Sequence, residues 1–326
     1  MAEDFYPCGL VREEGYADTM TDKVLPALEA IRVEKRVPAG RGELYSAFYP
    51  CGGAQGTVVI VHGFTSTEAK YAELICSLNR NGWAVLAYDQ RGHGRSWRPA
   101  RGNDLSLTHV DRFEDYVDDL DAVLSAWRKD MPEPWVLFSH SMGGAVSGLY
   151  LQAHAQTFRR AVLSSPMIAP STAGVPAWAT LAVCRCAALL GRRDRRMFIS
   201  KPYAGPEDFA TSCTTSRARF EWYEGIKARN PALTNNGPTY GWTEEAVRVT
   251  KKLLAKGAVE KLTLPVRVYS AGLDTVVLIP PQKAFVDRLP QGELVTVAGA
   301  KHEIFRSVDS VMVPWWESVL AFLSEK

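Results

Sequence analysis

The stretch that most restricts this chain runs from about residue 57 to 168, where short apolar runs alternate with segments whose apolar residues recur at helical spacing. The runs at 57–61, 83–88, 135–138 and 160–164 are of strand length. Between them, Tyr71, Leu74, Ile75 and Leu78 share one helical face, and so do Phe113, Val117, Leu120, Leu124 and Trp127. Parallel strands need a long crossover, and a helix with one apolar stripe both makes the crossover and covers the sheet. The expected fold class is therefore α/β, with a mostly parallel sheet between helices.

Upstream, the runs 34–37 and 44–49 flank Pro38–Ala39–Gly40–Arg41–Gly42, whose glycines can take the positive φ of a hairpin, so the sheet is expected to start antiparallel. Downstream, 266–270 and 294–297 again read as strands, and Met312, Trp315, Trp316, Val319, Leu320 and Leu323 stripe a C-terminal helix. Residues 169–262 break the alternation, being rich in Arg, Trp and small residues. They are expected to form an inserted, mostly helical cap between the two parts of the core, 1–168 and 263–326. A chain of 326 residues suits one large domain with such an insertion. The segment TNNGPTYGW at 234–242 has the composition of tight turns.

Thirty-eight basic residues against 36 acidic ones leave a net charge of +2, far from the excess of a nucleic-acid binder. The N-terminal stretch is acidic, with no apolar core of signal-peptide length, and nowhere do roughly 18 apolar residues run on uninterrupted. Six cysteines lie scattered without a CxxC pair, which points to a reducing cytoplasm. Cys184 and Cys186 have ligand-like spacing but no nearby histidine, so they read as small packing residues and no metal is expected.

The run 135–138 passes directly into Ser139–His140–Ser141–Met142–Gly143–Gly144 and then into a helical pattern ending near Ala155. That is the strand–turn–helix setting of a nucleophile elbow, whose sharp turn strains the serine backbone and admits only small residues two before and two after it. Ser139 and Gly143 meet that demand, although glycine is the commoner choice at the first position. The alternative is that Ser141 merely caps the following helix with its hydroxyl.

A serine nucleophile needs donors for the oxyanion it creates, and the loop His62–Gly63–Phe64 closes an earlier strand where one is required. The backbone N–H groups of Phe64 and Met142 are the expected pair. The order serine, acid, histidine then selects Asp274 and His302, each on a loop after a late strand. Asp89, His62 and His93 read as structural, His140 as a neighbour turned away from the chemistry, and His109 and His154 as packing or solvent-facing residues.

HGF at 62–64, YDQRGHGRS at 88–96, SHSMGG at 139–144, SAGLDTVV at 270–277 and GAKHEI at 299–304 together resemble the bacterial lysophospholipase and monoacylglycerol lipase branch of the α/β-hydrolases. The likeness covers about residues 30–326 and includes GPTYGW in the cap. It implies an eight-stranded sheet, a helical cap and cofactor-free hydrolysis of a single acyl chain from a glycerol-type backbone. It also supports Ser141, Asp274 and His302 as triad and Phe64 with Met142 as oxyanion donors.

The same triad serves other leaving groups, so a carboxylesterase of small soluble esters is the leading alternative, with an aminopeptidase or carbon–carbon hydrolase behind it. A catalytically dead binding protein is disfavoured, because every triad and oxyanion position is filled. Within the cap, the apolar stretch 176–190 precedes Arg192, Arg193, Arg195 and Arg196. An apolar face beside cations suits peripheral contact with an anionic membrane at its inner face. A core-facing helix followed by a solvated basic turn is the simpler reading and is preferred.

Overall fold

A computed structural model describes residues 3–325. In chain order the strands are β1 (Val33–Ala39), β2 (Gly42–Tyr49), β3 (Thr57–Val61), β4 (Ala84–Tyr88), β5 (Leu107–Thr108), β6 (Trp135–His140), β7 (Ala161–Ser164), β8 (Gly237–Pro238), β9 (Val266–Ala271) and β10 (Gly292–Val297). The α-helices are α1 (Tyr16–Thr19), α2 (Leu25–Ile31), α3 (Ala72–Arg80), α4 (Glu114–Trp127), α5 (Met142–Ala153), α6 (Ala177–Leu189), α7 (Arg217–Arg229), α8 (Tyr240–Leu253), α9 (Ile279–Val286) and α10 (Asp309–Ser324).

Eight strands form one sheet in the order β1-β2-β4-β3-β6-β7-β9-β10, in which β2 pairs antiparallel with both its neighbours and every other pairing is parallel. β3, β4, β6 and β7 are buried along their whole length, as expected of strands covered on both faces, and this is why they read as unbroken apolar runs. One core lies between the sheet and α4, α5 and α8, the other between the sheet and α3 and α10. The strand order reverses about β3, with β4 on one side and β6 on the other, and loops beyond the carboxyl ends of such strands open a crevice.

Between β7 and β9 the chain leaves the sheet and builds α6, α7 and α8. These helices are held differently. Trp242, Ala246, Val249 and Leu253 of α8 belong to the same core as α5. α7 is fastened by the fully buried Arg219, which grips Glu73 of α3 through two nitrogens at 2.9 Å and Asp309 of α10 at 2.8 Å. α6 buries only Cys184 and Ala187, leaving Trp178 and Leu189 exposed, and Leu190 just after it is exposed too.

Candidate active site

β6 runs into Ser141, and α5 begins at the next residue. Ser141 has φ 53° and ψ −121°, a conformation that side-chain-bearing residues adopt only when the surroundings impose it. Here its N–H donates to Ser164 O at 3.1 Å, and its carbonyl accepts from Gly144 N and Met167 N, both at 2.8 Å. A Cβ on Gly143 would stand 2.1 Å from Val61 O, so glycine alone fits there. Ser139 is fully buried. The Ser141 hydroxyl makes no capping bond to α5, contrary to the helix-cap alternative.

That hydroxyl lies 2.8 Å from His302 Nε2, and His302 Nδ1 lies 2.8 Å from Asp274 Oδ2. His302 is on the loop after β10, and Asp274 follows β9, so two neighbouring strand ends deliver them to the elbow. Asp274 Oδ1 accepts from the amides of Val276 at 2.8 Å and Val277 at 3.1 Å. Burial opposes its ionisation, but the hydrogen bond and charge of His302 and these two amides outweigh burial and hold the carboxyl below its usual range.

The loop after β3 approaches from the other side. A Cβ on Gly63 would lie 3.0 Å from Ser141 Cβ and 2.9 Å from His140 Nδ1, which leaves room for little but glycine. Among the described residues, the N–H groups of Phe64 and Met142 donate to no protein acceptor. His62 holds this loop: its Nε2 accepts from Gln90 N at 2.9 Å, while Gln90 Nε2 donates to His62 O at 2.6 Å. Burial pushes the His62 imidazole down to about 4, so it is neutral.

The other residues singled out by sequence are placed as follows. Asp89 accepts from Glu68 N at 2.7 Å and Arg95 N at 2.8 Å, and bonds no member of the Ser141–His302–Asp274 chain. His93 packs edge-on against His62 and Phe64. His140 is nearer the chemistry than its position on the turn suggests, with its ring centroid 4.8 Å from that of His302 and Nε2 3.2 Å from His302 O. His109 meets Thr239 Oγ1 at 2.7 Å, and His154 is exposed.

Sequence reasoning missed two residues here. Asn235 donates to Gly92 O at 2.7 Å and Thr108 Oγ1 at 2.8 Å, so the 234–242 segment docks on the 88–96 loop, with β8 pairing to β5 beside it. Trp242 lies against Phe64 with ring centroids 4.0 Å apart. Trp242 also lines an apolar cavity of about 270 Å³ with Pro170, Val183, Met197, Ile199 and Ala246. Pro170, another residue of its wall, is bridged to Val277 of the Asp274 loop.

Residues 52–309 match the family described as serine aminopeptidase, S33. The chain belongs to that family. It is thus a hydrolase of the α/β-hydrolase fold, in the branch that holds bacterial lysophospholipases and monoacylglycerol lipases. Among its relatives, lysophospholipase L2 of Escherichia coli (strain K12) is 32% identical over 266 residues, covering 78% of this chain and 76% of that protein. The fold also matches a monoglyceride lipase of Saccharomyces cerevisiae (TM-score 0.70, 19% identity, 90% of this chain and 95% of that one). A carboxyl esterase of Bacillus coagulans is similar in fold as well (TM-score 0.72, 16% identity, 90% and 97%).

Proposed function

We propose that this S33 hydrolase is a serine esterase that releases the acyl chain of a single-chain lipid, a lysophospholipid or monoacylglycerol, with Ser141 as nucleophile, His302 as general base and acid, and Asp274 as its orienting carboxylate. The observation that carries this reading is the unbroken chain of 2.8 Å contacts from Ser141 Oγ through His302 to Asp274, together with an apolar cavity whose wall residue Trp242 packs on Phe64.

As Ser141 Oγ bonds the carbonyl carbon, its proton passes to His302 Nε2, and Asp274 stabilises the imidazolium without taking that proton. The oxyanion lies between the N–H groups of Phe64 and Met142, each such donor being worth about 3 kcal/mol in the transition state. Collapse expels the glycerol-type alcohol, which leaves with the proton from His302. Water, deprotonated by His302, then cleaves the acyl-enzyme, and the proton returns to Ser141.

In this reading residues 169–262 act as the cap and the cavity receives the acyl chain. Each methylene removed from water contributes about 0.8 kcal/mol, so catalytic efficiency is expected to climb with acyl length until the cavity is full. A homologous series assayed below its micelle threshold tests this. Flat or falling efficiency would favour a carboxylesterase of small soluble esters.

The cap's outer face supports contact with an anionic lipid surface. Trp178, Leu189 and Leu190, on and just after α6, are 73–87% exposed. Of the four clustered arginines, Arg193 and Arg196 serve structure, through Glu245 at 3.4 Å and Asp104 at 2.7 Å. Arg192 and Arg195 are exposed and form no ion pair among the described residues. A mixed apolar and cationic face of this kind favours anionic headgroups.

A further inference from the structure

Directly behind His302 lies a buried ion cluster that the catalytic steps leave unused. Glu303, the next residue in the chain, accepts from Lys70 Nζ on one carboxylate oxygen and from Arg306 Nη1 at 2.7 Å on the other. The side chains of Lys70, Glu303 and Arg306 are only 8%, 12% and 7% exposed. Lys70 belongs to the 3-10 turn Glu68–Tyr71, which continues the loop carrying Phe64. Its N–H donates to Thr67 O at 3.2 Å, and Ser66 N to Gly63 O at 3.3 Å, so a short bonded path links Lys70 to that loop.

The cap closes the cluster from above. Lys70 Nζ and the Arg306 guanidinium both stand 5.2 Å from the ring centroid of Tyr223 on α7, whose hydroxyl lies 3.2 Å from Thr67 Oγ1. Glu303 N donates to Cys213 O at 2.9 Å. Burial works against the Glu303 carboxylate, yet Lys70 and Arg306 outweigh it and keep the group ionised.

A buried ion pair is a poor device for stability, because desolvating both charges offsets their attraction and apolar replacements are often no worse. What such a pair supplies is a fixed distance and a fixed partner. Resting on the assignment of His302 as the base for Ser141, we propose that Lys70 and Glu303 are positioning residues. Their ion pair locks the His302 loop to the Phe64 loop, so that base and oxyanion donor stand in register on opposite sides of Ser141. A displacement of about 1 Å between such groups can cost 100-fold in rate.

The variant Lys70→Met removes the tie between the two loops and leaves Glu303 paired with Arg306, so no buried charge is left alone. It is expected to melt within a few degrees of the wild type, because Glu303 keeps its counter-charge. Its kcat should fall about 10- to 100-fold with KM within about twofold, and phosphonylation of Ser141 by a fluorophosphonate probe should slow in the same proportion. Lys70→Arg, which keeps the charge, should recover most of the rate. A folded Lys70→Met variant with wild-type kcat, a loss confined to KM, or a Lys70→Met variant that fails to fold would each overturn the proposal. His302→Ala separates this from the catalytic assignment: if that variant keeps activity, the assignment fails, whereas a dead His302→Ala beside a fully active Lys70→Met variant sinks only the positioning role.

Discussion

At the scale of single residues, the turn that carries Ser141 tolerates no bulk. Ser139 is wholly enclosed and Gly143 faces a carbonyl oxygen, so Ser139→Gly is expected to keep activity while Ser139→Leu loses folding or turnover. Comparing circular dichroism and esterase rates of the two variants checks this. The buried histidines make a second prediction. Burial lowers His62 to about 4, and burial with the nearby His302 charge lowers His140 to about 3. Below about pH 6.5 the unfolded chain binds protons that these folded imidazoles refuse, so stability is full above that pH and declines as pH falls towards their folded values. Each histidine contributes at most about 1.4 kcal/mol per pH unit, and urea titrations from pH 7 to 5 should show a shallower decline for His140→Gln than for the wild type. Ser141, Asp274 and His302 could be picked out in advance because each sits where an apolar run stops. The Lys70–Glu303 pair and the Trp242–Phe64 contact could not be. Their partners are 233 and 178 positions apart in the chain, and no local pattern encodes that approach.

At the scale of elements, the sheet strands were legible because most are apolar runs of strand length bounded by turn residues, while β1, with Glu34, Lys35 and Arg36 in its middle, was legible from the turn that joins it to β2. α1, α2 and α9 were not, being short, with prolines in the last two, and too brief to display a periodic stripe. The expectation of a mostly helical insertion says nothing of how differently its helices are fastened. α7 is pinned by Arg219, whose side chain is completely buried among Glu73, Asp309 and two carbonyls. Arg219→Met leaves Glu73 and Asp309 without that partner and should cost about 3–5 kcal/mol in unfolding free energy, read from urea denaturation. An equivalent change on the outer face of α6, such as Trp178→Gln, should fall within about 0.5 kcal/mol, because that side chain is already in water.

At the scale of the whole molecule, the exposed Trp178, Leu189 and Leu190 neighbour the exposed Arg192 and Arg195 in the chain, and an apolar cavity lies between α6 and α8. Vesicles of anionic lipid should bind the wild type more tightly than Arg192→Gln/Arg195→Gln, and the difference should shrink as salt screens the charges. Unchanged binding would leave both arginines as solvated turn residues. The central claim, that Ser141 is activated by His302 to form an acyl-enzyme, is tested most directly by fluorophosphonate labelling followed by peptide mass mapping. The account predicts a single adduct on Ser141 in the wild type and none in Ser141→Ala, whose turnover should fall about a millionfold with the fold intact. An adduct on any other residue, or equal labelling of Ser141→Ala, would contradict it.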